Sequence, residues 1–305
     1  MTAPGRYLCF GVSWDDAGPS LALRTPHGAA ERLRLDPGTE LSFRVLPGAA
    51  RHCLGSVKVR DRGSRSRELC PWQAPAERGY QCGPCFARDD LRFMHNSHRS
   101  GFAPPGLKLY LAQPHWLYVA TFGDGTTKVG TAADVRRQLR LTEQGAVCAR
   151  YVAHADDGRV VRVLEDLVTA EVGLVQAVRS GAKTAALARP LAPEALDRIN
   201  AGHADRTRTM LAASGAGGFR IVDRQWARPA QADNVLRAAG VEAYPLDPGE
   251  GEHGLVILAM LGAAALVTAG GAETPFLADL GRLKGRRLQT GRYRSALPAL
   301  QPALF

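Results

Sequence analysis

Apolar and polar residues alternate through residues 6–48, in YLCFGVSW, SLALRT, ERLRLD and LSFRVL, each run bounded by turn-forming residues. That period of two predicts short antiparallel strands. The same style returns in FRIVDRQW, LVILAML, AALVTAGG and PFLADL. Leu21-Ala22-Leu23-Arg24-Thr25 followed by Gly28 is weakly matched by Ala265-Leu266-Val267-Thr268 followed by Gly270, which suggests related β modules packed on each other. Between these ends the pattern changes. An apolar run closing on an exposed Tyr118, the turn Gly123-Asp124-Gly125 and a second run carrying Lys128-Val129-Gly130 predict a hairpin. Thr131 fits an N-cap, Arg136 and Arg140 lie four apart on one face of the helix that follows, and Gly145 suits its C-terminal cap. A further strand, Val147 to His154, leads through Asp156-Asp157-Gly158 into a long helix. Val160, Val161, Leu164, Leu167, Val168 and Val172 mark that helix's buried side, with Glu165 near the edge of the face. Pro193-Glu194 opens a last helix holding Arg198, His203, Asp205 and Arg206.

These elements predict an α+β chain, and 305 residues are enough for several domains. The expected division is an N-terminal β module over 1–50, a cysteine-rich module over 51–104, an α/β domain over 105–214 and a C-terminal β module with a basic tail over 215–305. MTAPGRYLCFG lacks the charged and apolar regions of a signal peptide, and Leu255 to Ala269 falls short of the ~20 apolar residues that span a bilayer. No membrane partner and a cytoplasmic location are therefore expected.

Four of the six cysteines cluster in sequence: Cys53, Cys70, Cys82 and Cys85. Cys82-Gly83-Pro84-Cys85 is a half-site whose two thiolates can bind one side of a tetrahedral metal, and Cys53 and Cys70, both in turn-forming contexts, can supply the rest. His95 and His98 are rival ligands. Unrelated reduced thiols, or a redox pair, are the alternatives, although no thioredoxin-like strand precedes the motif. The intervening stretch is poor in large apolar residues and rich in arginine (Arg60, Arg62, Arg65, Arg67, Arg78), so it cannot bury enough surface to fold alone. Metal ligation, on the order of 10 kcal/mol in small sites, would order it. Cys9 and Cys148 sit in apolar runs and read as small core residues.

A formal net charge of +10 points to a polyanionic partner. GRLKGRRLQTGRYR concentrates that charge, placing Arg282, Lys284, Arg286, Arg287, Arg292 and Arg294 around Tyr293. Arginine interleaved with an aromatic can hold phosphate and stack on a base. A coding bias towards Arg and Ala, visible in ALARPLAPEALDR, is the competing source of the excess.

Leu117-Tyr118-Val119, Lys128-Val129-Gly130 and the closing Gln144-Gly145-Ala146 resemble the core of the GIY-YIG nuclease superfamily. They are most similar to an uncharacterised prokaryotic family that sets a cysteine cluster ahead of this core. The resemblance covers roughly residues 45–212. It implies a small central sheet with flanking helices, a structural Zn2+ on the four cysteines, and a catalytic set of Tyr118, Lys128, Arg136, Arg140 and Glu165. Tyr118 would position or deprotonate water, the two arginines and Lys128 would stabilise charge on a phosphodiester, and Glu165 would hold Mg2+ or Mn2+. This chain departs from the pattern: Lys128 replaces the second signature tyrosine, Ala132-Ala133 follows Thr131, and Leu141 stands where a tryptophan is expected. Three functions follow as expectations: metal-dependent cleavage of DNA or RNA, binding or regulation without cleavage, or small-molecule chemistry in a remodelled pocket.

Overall fold

The computed structural model describes residues 4–238, 240–271 and 274–298. In chain order the strands and helices are β1 (Arg6–Asp15), β2 (Gly18–Arg24), β3 (Ala30–Arg34), β4 (Glu40–Val45), β5 (Ser56–Val59), β6 (Arg65–Glu68), α1 (Gly83–Arg88), α2 (Ser97–Ser100), α3 (Pro105–Leu111), β7 (His115–Thr121), β8 (Thr127–Ala133), α4 (Arg137–Gln144), β9 (Cys148–Ala155), α5 (Gly158–Val172), α6 (Ser180–Ala186), α7 (Pro193–Ala213), β10 (Phe219–Gln225), α8 (Ala232–Arg237), β11 (Glu252–Leu261), β12 (Ala264–Ala269), β13 (Phe276–Asp279) and β14 (Arg287–Thr290). The mixture is α+β, with antiparallel pairing in every sheet. The chain divides into two units, one of residues 1–52, 180–189 and 230–305, the other of 53–179 and 190–229.

The first unit is built on one 8-stranded sheet in the order β13-β12-β11-β4-β14-β1-β2-β3. Strands from both ends of the sequence therefore interleave in a single layer rather than forming two modules. The alternation is the cause. Leu41 and Phe43 on β4, Leu255 and Ile257 on β11 and Leu288 on β14 point to one side and are all buried. Because β14 lies between β4 and β1, the basic segment is not a tail but contains an interior strand. Arg282 is paired with Asp247, and Arg44 stacks 4.9 Å from the Tyr293 ring. Cys9 is a core residue, and burial pushes its thiol up to about 12. Helix α6 also belongs here, where Ser180 Oγ donates to Asp279 at 3.1 Å.

The second unit holds a 4-stranded sheet, β10-β9-β7-β8, and the β5-β6 hairpin. FRIVDRQW, expected in the C-terminal module, instead forms β10 and pairs with β9. One face of the sheet buries Leu117, Val119, Val129 and Val152 against Val161, Leu164 and Val168 of α5 and Ala204 and Leu211 of α7. The other buries Trp116, Tyr118, Ala132 and Tyr151 against Leu141 of α4 and Trp226. Helix α7 is pinned by Asn200, whose Nδ2 donates to Val119 O at 3.1 Å and whose Oδ1 accepts from Arg150. The register shifts between Leu117 and Tyr118, so that Tyr118 opposes Tyr151 and Val152 joins Ala153 on the far face. Such a bulge twists the strand and re-aims the side chains beside it.

No helix among the described residues is long and apolar enough to cross a membrane.

Candidate functional site

The cysteines converge first. Cys53, Cys70, Cys82 and Cys85 are buried, and their sulfurs all lie within 4.8 Å of one another. Cys70 Sγ and Cys82 Sγ are 3.9 Å apart, and all four thiols are free. That separation is far too long for a disulfide and close to the edge of a tetrahedron with ~2.3 Å bonds, about 3.8 Å. Local turns aim backbone amides at the sulfurs. Gly55 N donates to Cys53 Sγ at 3.3 Å, in a turn that Gly55 enters at φ +80°. Burial opposes ionisation of Cys70, yet the Ala74 and Trp72 amides and neighbouring thiols hold its pKa below the ordinary value. Amide-to-sulfur bonds of this kind stabilise thiolates and tune a bound metal. The residues therefore fit a metal ion, and no histidine takes part. Among the described residues neither His95 nor His98 joins the group of ligating atoms, and His98 Nε2 lies instead 2.9 Å from Asp166.

Two carboxylates that sequence reading passed over tie this module down. Asp89 accepts from Val57 N at 2.8 Å and from Gln81 Nε2 at 2.6 Å; Asp90 accepts from Val59 N at 3.0 Å and pairs with Lys58 at 3.1 Å. The arginines cover aromatic faces, Arg65 over Tyr110 at 4.4 Å and Arg88 over Trp72 at 5.1 Å. Their stems supply the apolar cover that the sequence lacks.

The second cluster lies at the β8 end of the sheet. Tyr118, expected at an exposed strand end, is 0% exposed. Its ring lies over Gly130, where a Cβ would sit 2.5 Å from the hydroxyl, so only glycine leaves room for it. Gln144 Nε2 donates to that hydroxyl at 2.9 Å. Lys128, also buried, stands 5.8 Å from the ring centroid and donates to Gln176 O at 3.0 Å. Glu165 is 3% exposed rather than at a boundary, and Arg162, one turn earlier on α5, pairs directly with it. Arg140 is exposed on α4, and its charge reaches both Tyr118 and His95.

Arg136 is not part of this group. It ends a short 3-10 turn, Asp134–Arg136, at φ −122°, so it leaves the regular helix that carries Arg140. Its guanidinium is spent on Glu143, at 2.7 and 2.9 Å. Thr131 lies inside β8, and Gly145 closes α4 in the left-handed conformation as its position suggested.

Electrostatics follow from burial. Desolvation raises the Glu165 pKa, opposed by Arg162 and Lys128. Burial likewise raises that of Tyr118, helped by Glu165 and opposed by Arg140 and Gln144. A phenol so held keeps its proton and donates a hydrogen bond. Partial desolvation, Arg162 and Arg140 lower the His95 pKa, leaving it neutral at neutral pH. Lys128 and Arg162 thus act on the buried Glu165 while Arg140 acts on Tyr118, a cationic surplus suited to an oxyanion. Among the described residues only the cysteine quartet groups three or more metal-ligating side chains. Glu165, alone and covered by Arg162, is not a preformed Mg2+ or Mn2+ site.

Sequence reading missed Arg162, and it placed His95 among rival metal ligands and Gln144 in a closing motif rather than beside Tyr118. Arg162 was legible as the i−3 partner of Glu165. Nothing in the spacing pointed to His95 as a neighbour of Arg140 and Arg162. No family model, curated protein or solved structure matches the chain.

Proposed function

We propose that this protein binds nucleic acid by seating a backbone phosphate in the Tyr118–Lys128–Arg140 cleft, on a GIY-YIG-like scaffold braced by a structural zinc ion. The observation that carries the reading is the convergence of Lys128, Arg140 and Arg162 on a buried phenol and a single carboxylate. Lys128 and Arg140 supply charge, Tyr118 supplies a hydrogen bond, and Arg162 offsets part of the Glu165 charge. Zn2+ is the metal that four thiolates favour in a closed tetrahedral site.

Binding of labelled DNA and RNA oligonucleotides tests this. Affinity should fall steeply between about 50 and 200 mM salt, and Arg140→Ala should weaken it by about tenfold with little change in melting temperature. Affinity indifferent to salt and to Arg140 would refute the reading.

A second reading, phosphodiester cleavage, is favoured by the presence of a phenol and a carboxylate in one cleft. Cleavage in Mg2+ or Mn2+ that Glu165→Gln abolishes would establish it.

A further inference from the structure

One strand further across the same sheet face, two buried donors have no partner. The Tyr151 hydroxyl and Trp226 Nε1 are both solvent-shielded and unpaired among the described residues. Both belong to the cluster that contains Tyr118. Leaving such groups unsatisfied costs roughly 1–3 kcal/mol each, so each calls for a partner.

Their surroundings specify the ligand. Tyr151 pairs across the sheet with Tyr118 on one side and with Arg224 on the other. Arg137 and Arg224 stack over Trp116 at 5.3 and 5.6 Å, and the Trp116 and Tyr151 rings are 5.2 Å apart. Asp134 pairs with Arg137 at 2.5 Å and offsets one of the two charges. Indole N–H and guanidinium groups only donate, and burial keeps the Tyr151 phenol protonated against the pull of Arg137 and Arg224. The missing element is therefore an acceptor in a positive field. Arg224 is exposed, so its guanidinium over Trp116 can be reached by an incoming anion.

We infer that Arg137, Arg224 and the Tyr151 hydroxyl form a second oxyanion position, filled by the phosphate next to the one in the Tyr118–Lys128–Arg140 cleft. The ligand class is then a polynucleotide strand, not a mononucleotide. Adjacent strands lie about 4.8 Å apart, close enough for one sugar–phosphate backbone to reach both positions. This inference rests on reading the cleft as a phosphate site.

The test measures affinity of the intact chain for a single-stranded oligonucleotide, with a nucleoside monophosphate as competitor. Arg224→Ala and Tyr151→Phe should each weaken oligonucleotide binding by about tenfold, and Arg224→Ala should lower the salt slope by about one. The competitor's affinity should not change in either variant. Thermal melting of Tyr151→Phe, which removes only the oxygen, separates a folding defect from lost contact. If both variants bind like wild type while Arg140→Ala fails to bind, the second position is wrong and the cleft reading stands. If monophosphate and oligonucleotide affinities fall together, there is one position, not two. Wild-type protein that binds no oligonucleotide overturns both.

Discussion

The cysteine module and the β10-β9-β7-β8 sheet lie in one unit, yet they reach order by different means. The sheet buries apolar residues on both faces, Leu117, Val119 and Leu164 on one and Trp116 and Leu141 on the other, all 5% exposed or less. The module's cysteines cluster with Ala74 packed against them, while Val59 and Ala103 join Leu107, Tyr110 and Leu111 of α3 in a second small cluster. The module's remaining order comes from Asp89, Asp90 and arginines laid over aromatic rings. An apolar core degrades gradually as methylenes are lost, whereas a four-ligand metal site fails when one ligand is lost. The chain thus places its all-or-none element beside the cysteines, and keeps the Tyr118 cluster on the part that tolerates variation.

The largest effect should follow Cys82→Ser. Metal ligation contributes on the order of 10 kcal/mol in small sites, so metal content should fall from one zinc per chain towards zero. Hydrogen exchange over residues 53–89 should accelerate while β7, β8 and β9 stay protected. Protein purified in reducing buffer without metal, or loss of protection throughout the sheet, would break the comparison. Leu164→Ala comes next. Fully buried between sheet and helix, it should cost about 2–5 kcal/mol of stability with zinc content unchanged. Zinc loss on that substitution would show that the two regions do not stand apart.

The sheets were largely legible because their alternation is strong. All four N-terminal runs and all four C-terminal runs became strands. Their pairing was not legible, since alternation says which face a residue takes and nothing about which strand lies beside it; hence β14 sits inside the sheet and β10 joins β9. The cysteine quartet could be read because ligand chemistry restricts residue type and spacing. The cluster around Tyr118 was legible in part. Tyr118, Lys128, Arg140 and Glu165 meet, but Arg136 turns away because a 3-10 turn interrupts the helical spacing that joined it to Arg140. Burial of Tyr118 and Glu165 was missed because a polar residue next to apolar ones reads as a boundary until its neighbours across the fold are known.

Gly130→Ala would sharpen the comparison from the side of the cleft. The added Cβ meets the Tyr118 hydroxyl, and that ring cannot easily yield because it is fully buried and bonded to Gln144. Overpacking of this kind costs about 1–3 kcal/mol, so stability should fall by less than for Leu164→Ala. Oligonucleotide affinity should drop with it, since Tyr118 shifts. A variant with wild-type melting and wild-type affinity would remove Tyr118 from the binding site.

The smallest effect is a dependence on pH. Glu165 faces Arg162 on its own helix, Asp166 beside it and Lys128 on β8, and it acts on Tyr118 of β7, while Arg140 and His95 border the same cleft. Its pKa lies above the ordinary 4.5, so on acidification it loses its charge earlier than a free carboxylate would. The sign for folding follows from the same shift. Glu165 favours the folded state most below its unfolded pKa, and that advantage is lost as pH rises through the higher folded value. For binding, removing the Glu165 charge from beside Lys128 and Arg162 should strengthen oligonucleotide affinity as pH falls below 7, by up to about tenfold. His95, held below its ordinary 6.5, gains charge in the acid part of the range and pushes in the same direction. Two variants separate them: Glu165→Gln should reproduce the acid affinity at pH 7 and flatten most of the dependence, while His95→Gln should remove only its most acid part. An affinity that weakens on acidification, or a Glu165→Gln variant that still shows the full rise, would mean that this carboxylate does not face the bound phosphate.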